Sequence, residues 1–231
     1  MDTNKWLTPA AVVLAGLFIG GAIVWNNQHP AQAGAGAPGS GAPAPTANIA
    51  DVNTAGEPYI GNANAPVTIA FWSDYQCPFC KQFEEQTLPQ LKKGYVDTGK
   101  AKVVFLDFAF LGNDSITGAE YGRAVWKLYP NQYFAWRTAM FNAQDQEGDQ
   151  GFGNAASIDK LDATVPGLDA AKIAADVAAN KATYDAAIAA DKAEAQKEGV
   201  NATPSFVIGT QLIAGAVPLA QFQTALAAVV K

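Results

Sequence analysis

Histidine and cysteine are almost missing from this chain, and clusters of basic residues are missing altogether. The 231 residues include one histidine, His29, and two cysteines, Cys77 and Cys80. His29 lies in a tract of Gly, Ala and Pro, so a catalytic histidine is excluded on position. A structural zinc site needs four ligands, and there is neither a second cysteine pair nor a nearby histidine to complete one. Fifteen Lys and Arg stand against 21 Asp and Glu, giving a net charge of −6 with no basic patch, which argues against nucleic-acid binding. Charged residues make up only 16% and apolar ones 49%, a composition that supports a packed core. There is no internal repeat, and no heptad beside the apolar N-terminal run to form a dimerisation stalk, so a monomer is expected.

What is present is concentrated in Cys77-Pro78-Phe79-Cys80. The run before it, Val67–Ser73, reads as a buried strand, and residues 81–95 read as an amphipathic helix. A strand–CxxC–helix unit puts the first thiol at a helix N-terminus, where partial positive charge favours thiolate. Thiolate is the species that attacks disulfides, so this unit is suited to thiol–disulfide exchange. Cys77, the outer cysteine, is the expected attacking sulfur. Cys80, one turn in, is the expected resolving thiol. Pro78 sits near the first helical position, where its missing N–H costs nothing. Phe79 brings no charge and no side-chain hydrogen bond, which leaves Cys77 dependent on backbone N–H groups. A purely structural disulfide is the competing reading, but so short a loop would stabilise little.

Residues 7–25 form nineteen consecutive uncharged positions, nearly enough to span a ~30 Å hydrocarbon core at ~1.5 Å per residue. Two readings stay open. Residues 1–28 are a retained anchor with its N-terminus cytoplasmic, or a signal peptide cleaved near Ala31-Gln32-Ala33. Both export the rest of the chain into a compartment where disulfides persist. Residues 29–56 read as a flexible linker and 57–231 as the folded domain. Within that domain Lys102–Phe110 reads as a second buried strand, and Pro89 should kink the first helix. Residues 113–198 read as a mostly helical block, in which Asp169–Glu198 is one helix or two, with 180–183 as the candidate break. Ser205–Ile208 and Gln211–Ala214 form a hairpin around Gly209-Thr210, and 221–230 is a closing helix. Asp145, Glu147 and Asp149 alternate as calcium ligands do, but the glycines are misplaced for an EF-hand and position twelve would be Ala156. Trp126, Tyr129, Tyr133, Phe134, Trp136 and Phe141 read as the core of the helical block, with one or two available to a peptide groove.

Three segments together resemble the DsbA-like branch of the thioredoxin superfamily. They are 61–69 (GNANAPVTI), 73–81 (SDYQCPFCK) and 199–206 (GVNATPSF). The resemblance covers about 57–231 and implies an α/β thioredoxin fold with an inserted helical domain. It also implies that Pro204 is cis beside the cysteine pair, with the backbone of Thr203 pairing with an extended substrate peptide. One departure is plain. Family members often carry a buried acid six residues before the first cysteine, and here that position is Phe71. Asp74 and Glu84 are the nearest acids that could relay a proton in its place, although a solvated or capping role is the commoner use of such residues.

The resulting expectation is a membrane-tethered, extracytoplasmic thiol–disulfide oxidoreductase acting on cysteine-containing exported proteins. It needs no bound cofactor. By resemblance it is reoxidised by a quinone-linked DsbB-like or vitamin K epoxide reductase-like membrane protein. Without the histidine that strongly oxidising members carry between the cysteines, the expected reduction potential lies at roughly −270 to −120 mV. A reductase or isomerase of the same fold, and a non-redox tethered peptide-binding module, are the alternatives.

Overall fold

The computed structural model describes residues 47–145 and 151–230. The apolar run at 7–25, most of the Gly/Ala/Pro tract with His29, and Glu147 and Asp149 lie outside the described residues. No helix among the described residues is long and apolar enough to cross a membrane.

Five strands form one mixed sheet: β1 (Tyr59–Ile60), β2 (Val67–Ser73), β3 (Ala101–Asp107), β4 (Ser205–Ile208) and β5 (Gln211–Ala214). Their order is β1-β3-β2-β4-β5. β2 and β3 are parallel, in register from Val67 opposite Ala101 to Ser73 opposite Asp107. The remaining pairings are antiparallel. The near-continuous apolarity of β2 and β3 follows from burial on both faces, with alternate residues serving opposite sides. Ile69, Phe71, Val103, Phe105, Phe206 and Ile208 face one core. Ala70, Trp72, Val104, Leu106 and Val207 face another.

The helical run that starts at Cys77 and carries Cys80 comprises α1 (Pro78–Gln82), a π turn (Phe83–Thr87), α2 (Leu88–Leu91) and a second π turn (Lys92–Val96). The irregularity expected at Pro89 takes this form. Proline offers no N–H and its ring crowds the carbonyl four residues back, so the turn before it widens. Phe83, Leu88, Leu91 and Val96 bury this run against the first sheet face, joined by Phe222 and Leu226 from α7 (Leu219–Val229).

Between β3 and β4 lie α3 (Asn113–Leu128), α4 (Tyr133–Ala143), α5 (Ala155–Asp162) and α6 (Ala170–Lys197). This is the helical block expected at 113–198. α6 is one unbroken helix. Its Ala-rich composition favours helix throughout, and the Asn180 amide donates to the Asp176 carbonyl (2.8 Å) instead of ending it. Asp169 caps its start through the Lys172 N–H (3.0 Å), and Gly199, at φ 79°, turns the chain out of its end. Ile173, Val177 and Tyr184 join Tyr133, Trp136, Phe141 and Ile158 in a separate apolar core.

The folded part begins earlier than the composition suggests. Residues 47–56, read above as linker, pack onto the second sheet face, where Ala47 and Val52 are buried. Their backbone is held as well. The Asn48 N–H donates to Glu198 (2.6 Å), the Asn53 N–H to Glu194 (2.8 Å) and the Ile49 N–H to the Gly209 carbonyl (2.8 Å). Two buried side chains and borrowed hydrogen bonds leave little trace in composition.

Candidate active site

β2 ends at Ser73, and the four residues to Cys77 form the loop that presents the cysteines. The Asp74 carbonyl accepts the Cys77 N–H (3.1 Å), closing a turn. The Asp74 carboxylate accepts the N–H groups of Gln76 (2.8 Å), Phe110 (2.9 Å) and Leu111 (3.3 Å). It is therefore a buried capping group, tying this loop to the segment after β3. Tyr75 lies flat on α3, whose glycines make room for it. A Cβ at Gly122 would stand 2.9 Å from the Tyr75 hydroxyl.

Cys77 is the N-cap of α1, with extended backbone (φ −80°, ψ 118°) and Pro78 just inside the helix. Its carbonyl accepts the N–H groups of Cys80 (3.0 Å) and Lys81 (3.2 Å). Both cysteines are free thiols and both are buried. They pack within the helical block's core and not within either sheet core, so the pair sits on the seam between the two halves.

The Thr203–Pro204 peptide bond is cis. It brings the Thr203 carbonyl within 3.4 Å of the Cys77 Sγ, from which it accepts a hydrogen bond while the sulfur is protonated. The Thr203 hydroxyl is buried with no regular hydrogen-bond partner, yet it lies close enough to both sulfurs to favour their anions. The structure thus assembles Cys77, Cys80, Thr203 and Pro204 into one site. Phe79 projects from it, 59% exposed, and Phe110, whose N–H Asp74 holds, is 43% exposed.

The two thiols are electrostatically unlike. The hydrogen bond that the Cys80 thiol gives to the Cys77 sulfur, helped by the Thr203 hydroxyl and the N–H groups of Cys80 and Phe79, outweighs burial and brings Cys77 down to about 6. Burial, followed by the same hydrogen bond and the charge on Cys77, pushes Cys80 well above the usual thiol range. At neutral pH the outer sulfur is an anion and the inner one a proton donor to it.

At Phe71, where an acid was to be looked for, an aromatic cluster stands. Its ring stacks on Phe206 (4.7 Å between centroids) and meets Phe83 and Phe105 edge-on. The charge in this region belongs instead to Arg137, which is 2% exposed and bonds Glu84 Oε1 at 2.7 Å. Burial raises Glu84, with Arg137 opposing. Glu84 is thus neither solvated nor a cap but one half of a buried ion pair. Sequence reasoning missed Arg137 and also Gln144. The one available signal was a lone arginine within the aromatic stretch of residues 126–141, where Tyr133, Trp136 and Phe141 are buried core and Trp126, Tyr129 and Phe134 pack against them half-buried. Among the described residues no group of three His, Cys, Asp or Glu side chains is placed to hold a metal ion.

A family model described as thioredoxin matches residues 53–228. The chain belongs to the thioredoxin family. Within it the chain is DsbA-like. It is 26% identical over 158 residues to disulfide bond formation protein D of Bacillus subtilis, covering 68% of this chain and 70% of that one. The probable disulfide bond formation protein D of Bacillus anthracis is 26% identical over 153 residues, covering 66% and 70%. Among solved structures, oxidised BdbD from Bacillus subtilis superposes with a TM-score of 0.69 at 22% identity, covering 83% of this chain and 99% of that one, a likeness of fold. The thiol–disulfide exchange protein α-DsbA2 from Wolbachia pipientis superposes with a TM-score of 0.64 at 27% identity, covering 74% and 86%. With the dithiol geometry above, this family makes the chain a thiol–disulfide oxidoreductase.

Proposed function

We propose that this chain donates its Cys77–Cys80 disulfide to cysteine-containing exported proteins from a membrane-tethered, extracytoplasmic position. The observation that carries the oxidising direction is the unlike ionisation of the two thiols. A substrate thiolate attacks the Cys77 sulfur, the S–S bond breaks, and the Cys80 sulfur leaves with the bonding pair and takes up a proton. A second substrate thiolate then attacks the substrate sulfur of the mixed disulfide and expels Cys77 as thiolate. Two electrons have moved to the enzyme, and the substrate holds the new disulfide. A thiol ionising near 6 leaves readily, and its anion stabilises the reduced product.

The Thr203 backbone beside Cys77 would pair with an extended substrate strand, and the exposed rings of Phe79 and Phe110 would offer it apolar contact. Residues 7–25 are the tether in this reading, a quinone-linked membrane protein restores the disulfide, and the enzyme acts as a monomer. Trapping tests it. With Cys80→Ser, mixed disulfides with exported proteins should accumulate at Cys77, and in the native membrane the parent pair should be mostly oxidised. A mostly reduced pair would reverse the direction to reduction or isomerisation. A Cys77→Ser chain with full function would remove the redox role.

A further inference from the structure

One helix of the insertion reaches into the active-site loop at two places. At the end of α4, the Gln144 Nε2 donates to the carbonyls of Tyr75 (2.7 Å) and Cys77 (3.2 Å). Both partners are carbonyl oxygens, which only accept, so the amide nitrogen must be the end that faces them. The Cys77 carbonyl is also the one that starts α1, receiving the Cys80 and Lys81 N–H groups. Gln144 thus clamps the peptide on which the first turn of that helix, and the donors around the Cys77 sulfur, depend.

Two turns earlier on α4, Arg137 spreads its donors over the same loop. Nη2 donates to Ser73 Oγ (2.9 Å), Nη1 to the Tyr75 hydroxyl (3.2 Å) and Nε to Glu84 on the helical run beyond Cys80 (2.7 Å). The guanidinium is walled by the rings of Phe105, Tyr75 and Phe141, centred 4.6, 5.1 and 5.0 Å away. Such a fork fixes three groups at once, which a lysine could not do. Ser73 and Tyr75 flank Asp74, so Arg137 holds the loop by its side chains where Gln144 holds it by its backbone.

We propose that Gln144 and Arg137 are positioning residues through which the insertion holds the Cys77 loop against Thr203. Neither touches a sulfur. They act by keeping the Cys77 peptide, the first turn of α1 and the cis Thr203–Pro204 bond in one register, so that the donors around the thiolate stay aimed at it. The inference rests on the redox reading of the cysteine pair and goes beyond it, because it assigns the tuning of that pair to residues of the helical block.

The test uses the full chain in its dithiol form. Gln144→Met keeps the side-chain length and removes both donors. Arg137→Lys keeps the charge and removes the fork. Thr138→Ala, on the exposed face of the same helix, is the control. Three readouts are taken: the pH profile of Cys77 alkylation, the equilibrium with glutathione, and thermal unfolding of the disulfide form. Gln144→Met should lower the thiolate fraction at pH 6 about threefold, the effect of a rise of about 0.7 unit in the Cys77 midpoint, and shift the glutathione equilibrium at pH 7 toward the disulfide form about fourfold. Its disulfide form loses the same two hydrogen bonds, so its unfolding midpoint should fall as well, and the alkylation profile of the folded dithiol form is the readout that decides. Arg137→Lys should move the profile the same way, and Thr138→Ala should match the parent. A Gln144→Met profile that superimposes on the parent's overturns the inference while leaving the redox reading intact. A parent with no break below the ordinary thiol range overturns both.

Discussion

The ionisation of Cys77 makes a quantitative prediction about how the reduction potential of the pair depends on pH. The disulfide binds no protons. Below the Cys77 pKa of about 6, the reduced form takes up two protons with its two electrons. Above it, only Cys80 is protonated, because burial holds that thiol well above the usual range. The potential should therefore fall by about 59 mV per pH unit below the break and by about 30 mV per unit above it. Relative to an unperturbed pair, ionisation at pH 7 favours the reduced state about elevenfold, which is at most about 1.4 kcal/mol or about 30 mV toward a stronger oxidant. Cys77 is only 4% exposed, so solvent screening should reduce this little. The sign comes from linkage. The folded pKa is depressed, so the stabilisation of the reduced form is complete above the unfolded thiol value near 8.5, and it fades as pH falls through 6. Equilibration with glutathione from pH 4.5 to 8.5, quantified by the mass shift on alkylation, would place the break. A straight line at the two-proton slope to pH 8 would refute the role of the thiolate.

Four further outcomes are expected from particular contacts. Thr203→Val deletes the buried hydroxyl that favours both anions while keeping the carbonyl against Cys77, so the alkylation midpoint should rise by about half a unit or more and the enzyme should become less oxidising. Arg123 is ringed by Glu57, Asp107 and Asp191, and burial raises Glu57 to about 7 and Asp191 to about 8. The contribution of these carboxyls is complete below their unfolded values near 4, is lost progressively as pH rises from there, and is gone above 7 to 8, so denaturant midpoints should decline between about pH 4 and pH 8 and Asp191→Asn should flatten the decline. Val52→Ala should cost about 1–2 kcal/mol in chemical denaturation, two buried methyl groups' worth, whereas a true linker position would cost nothing. Asp74→Ala removes the acceptor of one buried and two part-buried N–H groups, and should destabilise both redox forms by about 2 kcal/mol in denaturant titrations.

Local patterns carried much of this site. The strand before Cys77 announces itself by near-continuous apolarity, the helix after Cys80 by its spacing, and Thr203-Pro204 by its place ahead of a two-residue hairpin. What escaped was non-local. Nothing near Gln144 in sequence says that its amide meets two carbonyls about seventy residues away, and Arg137 looks like any solvated arginine until the rings around it are in place. Glu84 was misread for the same reason, since its partner lies on another helix. Residues 47–56 resemble loop because their attachment is mostly backbone N–H to the carboxylates of Glu194 and Glu198, which no propensity scale records. At residues 180–183, where one helix or two stayed open, the outcome went in the opposite direction, toward continuity. Alanine on either side dominated, and a polar side chain that can satisfy itself one turn back does not stop a helix.

The way residues 47–53 are fastened has a mechanical consequence. They are stitched to the last turns of α6 and to the β4–β5 turn, on the side of the sheet away from the helix that bears the cysteines. A pull arriving from upstream of Ala47 would load that rear seam first, and would strip two carboxylate bonds before it strained the sulfurs. A load applied at Ala47 is therefore taken up on the sheet face opposite the cysteine-bearing helix.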